Sequence, residues 1–141
     1  SLAEELDLVK RYLEIEKARL EDRLEYRIDP EPGLLSVRIP PLVVQALVEN
    51  AVVHGLVPRK EGGRVDIAAC SADGRIRITV ADNGVGISAP SRRSGFGLPS
   101  VEERLRLFAG AGAEFSVRSS GSGTTVALGF PHVHPSDHRR G

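Results

Sequence analysis

The chain of 141 residues has little of several things that would announce a protein class. Cys70 is its single cysteine, so an internal disulfide and a cysteine-based zinc cluster are both excluded, and a reducing compartment suits it. Aromatic residues make up 4% and tryptophan is missing. The core must therefore come mainly from Val, Leu, Ile and Ala, and stacking platforms for bases are not expected. Charge of one sign is also lacking: Lys plus Arg equals Asp plus Glu at 19 each. Without a basic excess there is no electrostatic footprint for a phosphate backbone, and nucleic acid is not expected as a partner. No apolar run approaches the ~18 to 20 residues that cross a bilayer. Ser1-Leu2-Ala3-Glu4-Glu5 does not look like a signal peptide, and no direct membrane contact by this chain is expected. What is present, 40% hydrophobic and 27% charged residues, is the composition of a folded soluble domain, and the length fits one.

Ser1 and Glu4 make a capping box, followed by Leu2, Leu6, Val9, Leu13 and Leu20 at helical spacing. The spacing predicts a helix of about five turns, with Glu4, Glu5, Lys10, Arg11, Glu14 and Lys17 outside. Its narrow apolar stripe fits either a helix that projects and pairs with another, or one lying on its own domain. Leu24, Tyr26 and Ile28 alternate with charged residues as a half-buried strand, ended by Pro30-Glu31-Pro32-Gly33. Pro41 is placed as a first helical residue, and an apolar helix runs from Leu42 to His54, stopped by Gly55. Its polar residues, Gln45, Glu49, Asn50 and His54, share one half of the circumference, and such a seam needs something polar beside it.

Arg64–Ala69 and Arg75–Ala81 read as antiparallel strands joined at Asp73-Gly74. Ser88 to Ser94 lacks periodicity and reads as a mobile loop. A second long helix follows, opened by Pro99, carrying Leu98, Val101, Leu105 and Phe108, and closed by Gly110 and Gly112. Phe115–Arg118 and Thr125–Phe130 form a last hairpin. The order of elements implies an α+β two-layer sandwich, with helices on one face of a mixed, largely antiparallel sheet. The tail, residues 132–141, is expected to be disordered. Its His132, His134 and His138 are not read as a metal site.

Taken singly, Asp82-Asn83-Gly84, Gly95-Phe96-Gly97 and Gly121-Ser122-Gly123-Thr124 each fit an ordinary turn. Their order after a helix bearing Glu49, Asn50 and His54 resembles the ATP-binding domain shared by gyrase, the Hsp90 chaperone, histidine kinases and MutL, the Bergerat fold. Within it, Tyr12-Leu13-Glu14-Ile15-Glu16, Arg19-Leu20, Pro40-Pro41-Leu42, Gln45 and Leu47-Val48-Glu49-Asn50-Ala51 with His54-Gly55 are similar to LytS/YehU-type sensor histidine kinases. The resemblance runs from about Leu2 to Pro131. It implies an N box from Glu49 to Gly55, a G1 box from Asp82 to Gly86, a G2 box from Gly95 to Leu98, and a closing glycine-threonine element ending at Thr124.

From the resemblance, Asp82 accepts the adenine amino group, with Thr124 as a second contact and Gly84, Gly86 and Ile87 around the ring. A carboxylate at a strand end followed by glycines suits that task. Asn50 offers an amide oxygen to Mg²⁺ and the triphosphate, Glu49 assists through water, and His54 donates to phosphate or else caps a helix end. Gly95, Phe96, Gly97 and Leu98 lead into a helix N-terminus suited to an anion. Catalytic roles thus fall on Glu49, Asn50 and His54, metal binding on Asn50 and Glu49, with ATP and Mg²⁺ as cofactors.

Three positions depart from the family pattern. Val53 stands where these kinases usually have lysine, Ser100 where they tend to have asparagine, and the segment between Gly86 and Gly95 is short. Arg92 and Arg93 could replace the lysine or form a solvated basic loop. The clamp ATPases place a glutamate base one turn before the metal asparagine, and here that residue is Ala46. The resemblance therefore implies the catalytic half of a two-component sensor kinase: residues 1–21 a connecting helix toward a dimerisation and phosphoacceptor domain, residues 22–131 the ATP-binding domain. Its partners would be ATP or ADP, that acceptor domain and a response regulator, in the cytoplasmic portion of the parent. An ATP-hydrolysing clamp and a degenerate nucleotide-binding or dimerisation module are the alternatives.

Overall fold

The computed structural model describes residues 1–86 and 98–132. The first helix, α1 (Leu2–Leu20), starts at the expected capping box: the Ser1 hydroxyl accepts the Glu4 N–H, and the Glu4 carboxylate reaches back to the Ser1 amine. Leu2, Leu6, Val9 and Leu13 are buried in the core. Of the two readings open for this helix, lying on its own domain is the one observed. Its start is tied down further, with Leu2 N–H donating to the Val37 carbonyl at 2.8 Å and Ala3 N–H to that of Leu35 at 2.9 Å.

Strand β1 (Leu24–Pro30) leads through a 3-10 turn (Pro32–Leu34) to helix α2 (Val43–Asn50), which passes without a break into a π-helical segment (Ala51–Leu56). Strands β2 (Gly63–Ala72) and β3 (Arg75–Asp82) follow. Then come helix α3 (Leu98–Ala109), strand β4 (Glu114–Ser120) and strand β5 (Gly123–Pro131). The sheet runs β1-β2-β3-β5-β4. Only the β1–β2 pair is parallel, with Leu24 beside Gly63 and Pro30 beside Ala69. Parallel neighbours need a crossover connection, and here that connection carries α2 over the sheet. The three α-helices supply the other wall of the core. Ile76, Ile78 and Val80 of β3 point into it, and their neighbours in β5, Val126, Leu128 and Phe130, do the same. The other face of the sheet carries charged side chains such as Arg64 and Asp66, paired at 2.8 Å. The architecture is the expected two-layer sandwich.

Three local readings need correction. Pro41 is not the first helical residue: Leu42 is the N-cap, with φ of 63°, and that left-handed backbone separates Pro41 from the helix. Gly55 does not stop the helix, because the backbone widens into i→i+5 pairing, as between Val57 N–H and the Val52 carbonyl, and Gly55 sits inside that stretch. Glu5 does not lie outside α1. It is 5% exposed, and its carboxylate is consumed by the start of α2.

Candidate functional site

Strand β3 alternates with period two, so the row Ile76, Ile78, Val80 that enters the core ends with Asp82 on the same face. A carboxylate is thereby delivered to the margin of an apolar interior. The β3–β5 register sets Asp82 opposite Thr124. Above them, α2 and the π-helical segment bring Asn50 and His54, one turn apart, over the strand ends. The resulting narrow cleft is walled by Leu47, Ala51, Val80, Leu98 and Val126 and holds Asn50, His54, Asp82 and Thr124 as its polar groups.

Burial pushes the Asp82 carboxyl above the ordinary aspartate range, and hydrogen bonds from the Gly84 and Thr124 backbone N–H groups oppose that shift. The Gly84 N–H lies 2.9 Å from Asp82 Oδ1. Close approach of the π-helical segment makes this geometry possible. A Cβ on Gly55 would stand 2.7 Å from Asp82 Oδ1, and one on Gly84 would stand 2.1 Å from the Gly55 carbonyl oxygen. That carbonyl accepts the Val85 N–H at 3.0 Å, so the N-terminal half of the turn after β3 is stitched to the helix above it. Gly86 has φ of 77°, and a Cβ there would meet the Ser120 carbonyl oxygen at 1.8 Å. Asn83 faces away from the cleft. Its side-chain oxygen accepts the Arg64 N–H at 2.7 Å, and its carbonyl accepts from Arg59 Nη1.

The polar seam of α2 divides. Asn50 and His54 line the cleft, whereas Glu49 is exposed outside it and accepts from Gln45 Nε2 at 3.2 Å. Tyr12 of α1 lies near Glu49: burial, helped by the charges of Glu16 and Glu49, pushes its hydroxyl up to about 12. Gly84 is buried behind the cleft, and Gly86 and Leu98 line it. Ile87, Arg92, Arg93, Gly95, Phe96 and Gly97 lie outside the described residues, as do the expected loop between 88 and 94 and the tail from 133 onward. Among the described residues no three His, Cys, Asp or Glu side chains gather as a metal cluster. Apart from Leu98, the apolar lining was not singled out from sequence. Period and pitch carry its signal, since Val80 precedes Asp82 by two residues, Val126 follows Thr124 by two, and Leu47 precedes Asn50 by three.

A helical layer thus lies over a five-stranded sheet, with a half-buried aspartate and a helix-borne asparagine both lining one apolar cleft. The chain belongs to the histidine kinase-, DNA gyrase B- and HSP90-like ATPase family, whose model matches residues 38–134. Among its relatives is the sensor histidine kinase/phosphatase LytS of Staphylococcus aureus, strain MRSA252, with 32% identity over 94% of this chain. The chain spans 25% of that protein's length, and the same holds for LytS of strain Mu50. The histidine kinase domain of the blue-light activated kinase from Erythrobacter litoralis superposes with a TM-score of 0.64 at 22% identity, covering 87% of this chain and 58% of that one. The catalytic domain of histidine kinase ThkA superposes with a TM-score of 0.68 at 15% identity, covering 92% and 91%. By family the chain is an ATPase domain of the histidine kinase-, DNA gyrase B- and HSP90-like type, and its fold is the one seen in histidine kinase catalytic domains.

Proposed function

We propose that the cleft binds Mg·ATP and presents its γ-phosphoryl group to a histidine on another domain of a two-component sensor kinase. The observation that carries this reading is Asp82, a carboxylate held by two backbone N–H groups at the end of an otherwise apolar strand row and opening into an apolar slot. Such a slot takes a flat heterocycle, and the carboxylate accepts its exocyclic amine. Asn50 and His54 stand on the opposite wall as the polar end for the triphosphate. Asn50 supplies the amide oxygen for Mg²⁺, a hard cation commonly held by one or two protein oxygens together with substrate phosphates. When bound, the metal neutralises phosphate charge. Glu49, exposed and tied to Gln45, reaches that metal only through water. The family resemblance alone assigns Gly95, Phe96 and Gly97 to the phosphates and Ile87 to the base, while Gly86 lines the cleft. The acceptor domain and a response regulator are the macromolecular partners, and the location is the cytoplasmic part of the parent.

The clamp alternative lacks its base. One turn before Asn50 stands Ala46, half-buried against the core, and a methyl group cannot orient water.

Calorimetric titration tests the reading. The chain is expected to bind ATP and ADP with Mg²⁺, and Asn50→Ala to bind nucleotide with the same affinity in the presence or absence of Mg²⁺. No heat at millimolar nucleotide would leave the degenerate module as the better account. A second expectation concerns turnover. Phosphoryl transfer is mostly positioning plus charge stabilisation, and a base to position the nucleophile is missing one turn before Asn50. Bound ATP should therefore stay intact and radiolabel should not attach to the chain, while an added acceptor-helix fragment should be labelled slowly. Phosphate release at ~1 per second or faster, the pace of working enzymes, would favour an ATPase instead.

A further inference from the structure

Glu5 is the one charged or polar side chain buried among the described residues. Both of its oxygens are used by another helix: Oε2 accepts the Leu42 N–H at 3.0 Å and Oε1 the Gln45 N–H at 3.2 Å. The reason lies in α2. Its N-cap, Leu42, has no oxygen to offer the free N–H groups of the first turn, so the cap is supplied from α1, 37 residues upstream. A carboxylate there also complements the helix dipole.

The consequences run toward the cleft. Gln45, whose N–H Glu5 holds, donates through its side chain to Glu49, and Asn50 follows as the last α-helical residue. Helix α2 has only eight residues before the backbone changes to π pitch, so its first turn is half of it. Tyr12, seven residues beyond Glu5 and so on the same side of α1, lies near Glu49. Helix α1 thus holds the start of α2 by two hydrogen bonds and passes near its later turn. From the far side, Arg104 Nη1 of α3 donates to the Pro41 carbonyl at 3.0 Å, fixing the residue before the cap.

We propose that Glu5 is a positioning residue for Asn50: by capping α2 from outside it sets the height and rotation at which Asn50 stands over the cleft. The effect on ligand rests on the nucleotide reading above; the effect on α2 does not.

The test uses the full chain with Glu5→Ala, Glu5→Gln, and Ile76→Ala as a control. Ile76 is buried at the end of β3 remote from Asp82, so its truncation lowers stability without touching α2. Two quantities are measured well below each variant's unfolding midpoint: the Kd for Mg·ATP and amide hydrogen exchange. Glu5→Ala is expected to weaken binding about tenfold, as for loss of a charge-assisted hydrogen bond. Glu5→Gln, which keeps the volume and one acceptor, should weaken it about threefold. Exchange should speed up over Val43–Asn50 while β2 and β3 stay protected, and Ile76→Ala should leave Kd unchanged. Equal weakening by Glu5→Ala and Ile76→Ala, or unchanged Kd in a folded Glu5→Ala, would overturn the proposal and leave Glu5 as a stabilising cap alone. Should the parent itself bind no nucleotide, the functional reading fails and the side-chain amide resonances of Asn50 decide: a shift in folded Glu5→Ala that Ile76→Ala does not produce supports the positioning role, and unmoved resonances refute it. If Glu5→Ala does not fold, Glu5→Gln carries both comparisons.

Discussion

Asp82→Asn should make the unliganded chain more stable at neutral pH while weakening nucleotide binding by roughly 1 to 3 kcal/mol, the range for an unpaired buried donor. The two effects share a cause. Burial raises the Asp82 carboxyl above its usual range, and the hydrogen bonds from Gly84 and Thr124 only partly oppose this. An unfolded chain titrates this group near 3.9, below the folded value. Whatever Asp82 contributes to stability is then fully present below the unfolded pKa and is lost as pH rises through the folded one. At neutral pH the parent holds a charge where burial disfavours it. Asparagine removes that charge, and its single oxygen must then serve both the Gly84 and the Thr124 N–H groups. Its amide nitrogen then faces the cleft, where a donor meets the donor of the base. Denaturant melts of both proteins at pH 7 and near pH 4, with calorimetric titration at pH 7, provide the check. The stability advantage of Asp82→Asn should shrink as pH falls. A variant less stable than the parent at pH 7 would mean that the two backbone hydrogen bonds outweigh desolvation, and the account of the site as a strained acceptor would be wrong.

How much of this was legible in the sequence depends on how far apart the partners lie. The two-layer sandwich followed from the order of periodic segments. The place of Asp82 at a strand end followed from the Arg75–Ala81 run and the Asp-Asn-Gly after it, whereas its role came from the family resemblance. The pairing of Asn50 with His54 followed from helical pitch. What was hidden is long-range or sits where backbone geometry departs from a standard repeat. Glu5 reads as one more acid in a helix's first turn, and only the fold brings Leu42 to it. Pro41 looks like a helix start, but the left-handed backbone of Leu42 intervenes. A π-helical stretch has the same composition as an α-helical one, so Gly55 passed for a stop. Glu49 and Asn50 are neighbours in sequence, yet only Asn50 faces the cleft, because the seam is wider than the opening it borders.

The glycines after Asp82 matter through close approach, and this makes Gly84→Ala a severely damaging change despite its small size. A Cβ at 84 would lie 2.1 Å from the oxygen and 2.3 Å from the carbon of the Gly55 carbonyl, both backbone atoms that no rotamer change can move aside. Relief requires the turn and the π-helical segment to separate by about 1 Å, the shortfall from an ordinary contact. That separation stretches the bond from Val85 N–H to the Gly55 carbonyl and pulls the Gly84 N–H away from Asp82. A half-buried carboxylate then loses a donor while His54, beside Gly55, shifts with its segment. Overpacking of this kind typically costs about 1 to 3 kcal/mol, and the lost hydrogen bonds add about 1 kcal/mol each. We expect a loss of roughly 3 to 5 kcal/mol in stability together with nucleotide binding below detection. Gly33→Ala is the matched control. Its Cβ would have nothing within 4 Å, and its backbone is one that L residues adopt, so stability should rise slightly or stay level. Urea melts and titration of both variants suffice to decide. A Gly84→Ala protein as stable as the parent and still binding nucleotide would show that the junction between Gly55 and Gly84 yields freely, and that the cleft is shaped by the walls of the sheet rather than by the seam joining turn to helix.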